Sequence, residues 1–175
     1  MKIAIGYPPL EEKFIPLLSQ NRQFQWFHSP TFIYPVVPAL AATLLKKEGH
    51  EVFWLDGIAE KWSYQQWLNE LKKAKPEILV METKTPVIKK HWKIINQLKQ
   101  LTIDNHQLAI ILVGDHVTAL PEESFLNSSV DYVLTGGDYD FLLLNLVNHL
   151  TKREKLEPGI WYREKPKNKN TQAFI

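Results

Sequence analysis

"QLAIILVGDHVTALPEE", residues 107–123, decides how this chain is read. An apolar run rich in isoleucine and leucine, 107–114, stops at Gly114. Pro121, followed by Glu122 and Glu123, then opens a new helix, because proline suits a first helical turn and acids there favour the helix dipole. A buried strand followed by a helix start is one βα unit.

The pattern recurs along the chain. "KIAIGY" (2–7) reads as a first strand and "PALAATLLKKEGH" (38–50) as a helix, with Lys46 and Lys47 in its last turn and Gly49 as its left-handed stop. "EVFWLD" (51–56) is a second strand. Ser63 with Gln66 forms a capping box ahead of a helical face of Tyr64, Trp67, Leu68 and Leu71. "EILVME" (77–82) is a third strand, and Pro86 opens a helix with Ile88, Trp92 and Ile95 inward. The run 107–114 is the fourth strand. "DYVLTGG" (131–137) holds the fifth, and "DYDFLLLNLVNHL" (138–150) is a helix with Asp138 expected at its N-cap. Alternation of this kind predicts an α/β fold of flavodoxin-like (Rossmann-like) class. Its sheet is expected to be five-stranded and parallel, in the order 2-1-3-4-5, with helices on both faces. Ile3, Ile5, Val80, Ile110, Leu112 and Val133 are expected at its centre.

The 175 residues suffice for one domain with a sizeable core, and 45% hydrophobic with 23% charged is a globular balance. A net charge of +2 is too small to imply nucleic-acid binding. The absence of cysteine removes disulfides, thiolate metal sites, a cysteine nucleophile and any cysteine-held iron–sulfur cluster from this chain. No apolar run reaches the roughly 18 to 20 residues of a membrane span. The opening residues, broken early by Pro8 and Pro9, do not read as a signal peptide, so a cytoplasmic setting is expected.

Two segments exceed the minimal fold. Residues 8–37 join the first strand to the first helix at far more than the usual roughly 2–6 residues. They carry Phe14, Phe24, Trp26, Phe27, Phe32 and Tyr34, and five prolines that forbid one continuous helix. Those aromatics suit the domain's own core, a lid over a ligand, or a docking surface. Residues 151–175 form a C-terminal extension or linker to the 1–150 body. Within it "PGIWYREK" (158–165) suits one more strand and "KPKNKNTQ" (165–172) a polar tail.

In an open parallel sheet, ligands bind over the C-terminal ends of the strands. Four loops are expected to meet there: Tyr7, Pro8 and Pro9 after strand one; Thr83, Lys84 and Thr85 after strand three; Gly114, Asp115 and His116 after strand four; Thr135, Gly136, Gly137 and Asp138 after strand five. No G-x-G-x-x-G, phosphate-binding P-loop or G-x-S-x-G elbow is present. The six histidines show no metal-ligand spacing. Asp115 and His116, as chain neighbours, generally diverge, a poor geometry for an orienting pair. Turn residues, pocket lining and a catalytic pair all stay open for them.

At these loops the chain resembles a family. "GYPP" (6–9), "PVVPALAATLLKKEGHEV" (35–52), "VGDHVTALPEE" (113–123) and "DYVLTGGDYDFLLLNLV" (131–147) are similar to the N-terminal cobalamin-binding domain of cobalamin-dependent radical S-adenosylmethionine enzymes. The family's Gly-Gly-Pro-His is Val113-Gly114-Asp115-His116 here, and its acidic Gly-Glu-Gly-Glu is Gly136-Gly137-Asp138-Tyr139. The resemblance implies a domain that positions a corrinoid for a partner radical S-adenosylmethionine domain, in methyl transfer or radical chemistry, and is not itself catalytic. The thirteen loop residues named above would line the cofactor pocket, with His116 offering polar contact. Cobalamin would be base-off with no histidine below the cobalt, since the loop after strand one holds none. The iron–sulfur cluster and S-adenosylmethionine would belong to a following or separate domain. Two rivals stand beside this reading: a docking module without cofactor, and a small enzyme using Asp115, His116 and Asp138.

Overall fold

The structure is a computed structural model that describes residues 1–9, 15–16, 26–27, 34–103 and 106–163. Its main sheet has strands β1 (Lys2–Tyr7), β2 (Glu51–Asp56), β3 (Ile78–Glu82), β4 (Ala109–Val113), β5 (Tyr132–Leu134) and β6 (Ile160–Tyr162). The helices are α1 (Val36–Lys47), α2 (Tyr64–Ala74), α3 (Ile88–Leu98), α4 (Asp115–Ala119), α5 (Pro121–Asn127) and α6 (Tyr139–Lys152). The strand order is 2-1-3-4-5-6. Strands one to five are parallel in the expected order, and β6 adds an antiparallel edge, pairing Ile160 with Leu134 and Tyr162 with Tyr132. The sixth strand is the one that "PGIWYREK" suited. A short connection from α6 returns the chain beside β5, where Ile160 is buried and the Thr135 amide donates to the Gly159 carbonyl at 2.9 Å.

Helices cover both faces, as a parallel sheet requires. On one face α2 and α3 set Trp67, Leu71, Ile95 and Leu98 against Ala4, Leu79, Ile110, Leu112 and Val133. On the other, α1 and α6 set Ala41, Leu45, Leu143 and Val147 against Ile3, Ile5, Ile78, Val80 and Ile111. All six residues expected at the centre are buried. Trp67 is the largest fully buried side chain. Its indole N–H donates to the Leu55 carbonyl at 3.0 Å, and its ring fills the space that Gly6 leaves by lacking a Cβ.

Local signals explain several boundaries. The Ser63–Gln66 capping box forms in both directions, and Gly49 stops α1 at φ +84°. Asp138 holds the N-cap position of α6 but makes no capping bond. Residues 114–116, expected as a loop, instead enter α4. Gly114 breaks the strand at φ +113°, and the Thr118 amide and hydroxyl both donate to its carbonyl, at 3.1 and 2.9 Å. Leu120 interrupts the helix and Pro121 restarts it as α5.

Most of segment 8–37, including Phe14, Phe24 and Phe32, lies outside the described residues, and so does the lid expected there; within it Ile15–Pro16 pairs antiparallel with Trp26–Phe27. The polar tail beyond Arg163 lies outside them too. No helix among the described residues is long and apolar enough to cross a membrane.

Candidate functional site

The ends of β3, β4 and β5 and the starts of α1 and α6 enclose a cleft of about 210 Å³. Its walls are Val37, Glu82, Lys84, Gly114, Asp115, Gly136, Gly137, Asp138 and Tyr139. A narrower crevice beneath it shares Glu82 and Tyr139 and adds Ile5, Tyr7, Pro38, Ala41, Val80, Val113 and Leu143.

Why these residues meet follows from the strand ends. The Thr83 amide donates to the Val113 carbonyl at 2.8 Å, carrying the β3–β4 pairing one residue past Glu82. A Cβ at position 114 would lie 2.4 Å from the Thr83 carbonyl oxygen, so only glycine fits this crossing. The crossing sets Lys84 against Asp115. The Lys84 ammonium donates to Asp115 Oδ2 at 3.0 Å, with the lysine side chain 4% exposed and the aspartate 50%. Across the cleft, Gly136 and Gly137 present bare backbone with no heavy atom within 4 Å of either Cβ position.

At the floor, the Tyr7 hydroxyl donates to Glu82 Oε2 at 3.0 Å. Burial pushes the Glu82 carboxyl above its ordinary range, against the downward pull of the Tyr7 bond and the Lys84 charge. Burial, reinforced by Glu82, raises both Tyr7 and Tyr139 well above the usual phenol value. Both phenols are therefore neutral hydroxyls. That of Tyr139 is buried and has no hydrogen-bond partner.

Six of the thirteen expected site residues line the cleft: Lys84, Gly114, Asp115, Gly136, Gly137 and Asp138. Tyr7 lies beneath it, on Glu82. The other six turn elsewhere or stand off its walls. Pro9 packs against Gly57, and Pro8 is not among the lining residues. Thr83 is fully buried and bonded to His91 Nδ1 at 2.9 Å. The Thr135 hydroxyl donates to the Gly159 carbonyl at 3.1 Å. Thr85 meets His116 Nδ1 at 3.1 Å, while His116 Nε2 meets Glu123 at 2.9 Å and the ring packs edge-on against Trp92. Asp115 and His116 thus diverge, one to Lys84 and one to Glu123. Glu82 and Tyr139 were not among the expected residues; the faint signal for the first is an acid closing an otherwise apolar strand.

An open α/β sheet flanked by helices is the fold this chain shares with solved cobalamin-dependent radical enzymes. The radical S-adenosylmethionine methyltransferase TsrM from Kitasatospora setae, solved with cobalamin and an iron–sulfur cluster, matches 98% of this chain at TM-score 0.65 and 17% identity. The cobalamin-dependent S-adenosylmethionine radical enzyme OxsB, solved with aqua-cobalamin and S-adenosylmethionine, matches 99% at TM-score 0.70 and 16% identity. These likenesses show the fold. In sequence, an uncharacterized methyltransferase of Pyrococcus horikoshii is 25% identical over 172 residues, 97% of this chain. The chain spans 34% of that relative's length, and 31% and 22% of the two solved chains. No family model matches the chain.

Proposed function

We propose that this chain is a corrinoid-binding domain that holds cobalamin over the ends of β1, β3, β4 and β5 and orients it toward a radical S-adenosylmethionine domain for methyl transfer. The observation that carries the reading is the cleft, in which bare backbone at Gly136 and Gly137 stands opposite the Lys84–Asp115 pair. A broad planar ligand needs one wall without side chains, and polar groups elsewhere to fix its orientation. The unpartnered Tyr139 hydroxyl is a buried donor of the kind a ligand satisfies. The residues present therefore fit a corrinoid. The fold shared with TsrM and OxsB, whose structures hold cobalamin, supports the same reading.

When bound, the cofactor would supply methyl-transfer chemistry at its cobalt. The chain's own part is to seat and shield it. Lys84 and Asp115 fix the stiff side of the cleft, and Glu82 and Tyr139 offer an acceptor and a donor at its floor. A corrinoid held here would be base-off, because this site offers its metal no histidine. Neither Tyr7, Pro8 nor Pro9 is a histidine, and both ring nitrogens of His116 are engaged by Thr85 and Glu123. Residues 1–150 form most of the body of this domain, and β6, from the 151–175 extension, completes its sheet. The cluster and S-adenosylmethionine belong to a following or separate domain, and the whole works in the cytoplasm.

The test is direct. The chain is mixed with hydroxocobalamin, passed over a sizing column and its visible spectrum recorded. Corrin absorbance eluting with the protein is expected. Gly137→Trp, which fills open space, should abolish co-elution while leaving the circular dichroism spectrum unchanged. Absorbance only in the free-ligand fractions, or unimpaired binding by Gly137→Trp, would overturn the proposal.

A further inference from the structure

We propose that Glu82 and Tyr139 form a subsite for a primary carboxamide, Glu82 accepting the amide N–H and the Tyr139 hydroxyl donating to the amide carbonyl. The two side chains share the floor of the cleft and the top of the crevice below it. Both are almost fully buried, at 5% exposure each. The Tyr7 hydroxyl holds Glu82 by Oε2, which fixes the carboxylate in place, and the Lys84 ammonium is bonded to Asp115. Tyr139 has a buried hydroxyl with no partner. A buried donor left unmade is costly, and a buried carboxylate wants further donors.

One ligand group answers both needs only if it both donates and accepts, and two side chains set apart from one another are best met from two neighbouring atoms. A carboxamide does so. A phosphate or carboxylate would be repelled by Glu82, and an ammonium would leave the tyrosine hydroxyl unanswered. The rim of a corrin ring carries primary carboxamides, so the subsite names the feature of the ligand that this chain reads. The inference rests on the corrinoid reading above.

Binding is measured by visible-spectrum titration with cyanocobalamin and with its b-, d- and e-monocarboxylic acids, in which one amide at a time becomes a carboxylate. At neutral pH one of the three acids should bind the wild-type chain at least about tenfold more weakly than cyanocobalamin, the scale of one hydrogen bond to a charged group. Glu82→Gln should narrow that gap, because the repelling carboxylate is gone. Tyr139→Phe should bind cyanocobalamin several-fold more weakly, yet melt at a higher temperature without ligand, because an unpartnered hydroxyl has been removed. That opposition of signs is not expected of a residue that only supports the fold. Equal binding of all four compounds, or a gap unchanged in Glu82→Gln, refutes the subsite while the corrinoid reading stands. Failure of cyanocobalamin to bind the wild-type chain refutes both.

Discussion

Acid should destabilise this chain through His91. The residue is fully buried on α3, its Nδ1 is bonded to the Thr83 hydroxyl at 2.9 Å, and its Nε2 is buried with no partner. Charging the ring would leave a buried N–H at Nε2 with no acceptor and a charge with no water or counter-charge beside it. Burial accordingly lowers its pKa from 6.5 to about 4. Between those values the unfolded chain takes up a proton that the folded chain refuses. The stabilising contribution is complete above pH 6.5 and is lost as pH falls toward 4. At about 1.36 kcal/mol for each pH unit, the loss reaches roughly 3 kcal/mol by pH 4, a large part of a typical domain's stability. The assay is urea unfolding followed by tryptophan fluorescence, from pH 7.5 to 4, for wild type and His91→Leu. At pH 7.5 the variant should be less stable by about 1 kcal/mol, because Thr83 loses its partner. By pH 4 the order should reverse, with the variant ahead by roughly 2 kcal/mol. Other titrating groups, such as His50 and Glu82, are common to both chains and cancel in the difference. Stability curves that run parallel across the range would show that His91 is not the buried neutral group described here.

Gly114→Ala should cost at least about 2 kcal/mol from its positive φ alone, and more from contact with the Thr83 carbonyl, read as a lower urea midpoint. Trp67→Ala, in the core beneath α2, should destabilise by about 3–5 kcal/mol, with the fall in melting temperature as its measure. His116→Ala should lower stability by roughly 1–3 kcal/mol, because Thr85 and Glu123 lose a partner, yet leave the spectrum of bound hydroxocobalamin unchanged. A changed spectrum would mean that this histidine reaches the ligand after all.

The sheet was legible because its central strands, β1, β3 and β4, are buried on both faces and read as nearly unbroken apolar runs. Ser63 with Gln66, and Gly49 after Lys46 and Lys47, announced their helix ends with purely local chemistry. The helix at Asp115–Ala119 was not legible. Five residues are too few to show a period, and no side chain caps its start. Six of the nine residues that line the candidate cleft were readable from loop position alone. The rest depends on partners far away in sequence: Tyr7 meets Glu82 across 75 residues, and Thr85 meets His116 across 31. His116 looked like a free polar group at a loop tip, but the turn of α4 swings it under Trp92 and onto Glu123. β6 was foreshadowed by its residues, but its antiparallel direction was not: residues 153–159 carry the chain from the end of α6 back to the C-terminal end of β5, where Ile160 pairs with Leu134.

The fit of Gly114 against Thr83 makes the cleft mechanically lopsided. The Thr83 amide bond to the Val113 carbonyl, and the close approach of Gly114 to the Thr83 oxygen, join the loops after β3 and β4. Lys84 and Asp115 are carried on one anvil, fixed before any guest arrives. The opposite jaw has slack: nothing lies within 4 Å of the Cβ positions of Gly136 and Gly137, and one hydrogen bond, from the Gly136 amide to the Thr118 hydroxyl, tethers it. A ligand seated in the cleft would therefore meet packed side chains on one side and open backbone on the other. Selection during divergence can retune the depth of the cleft at 136 and 137 without disturbing the ion pair that faces it.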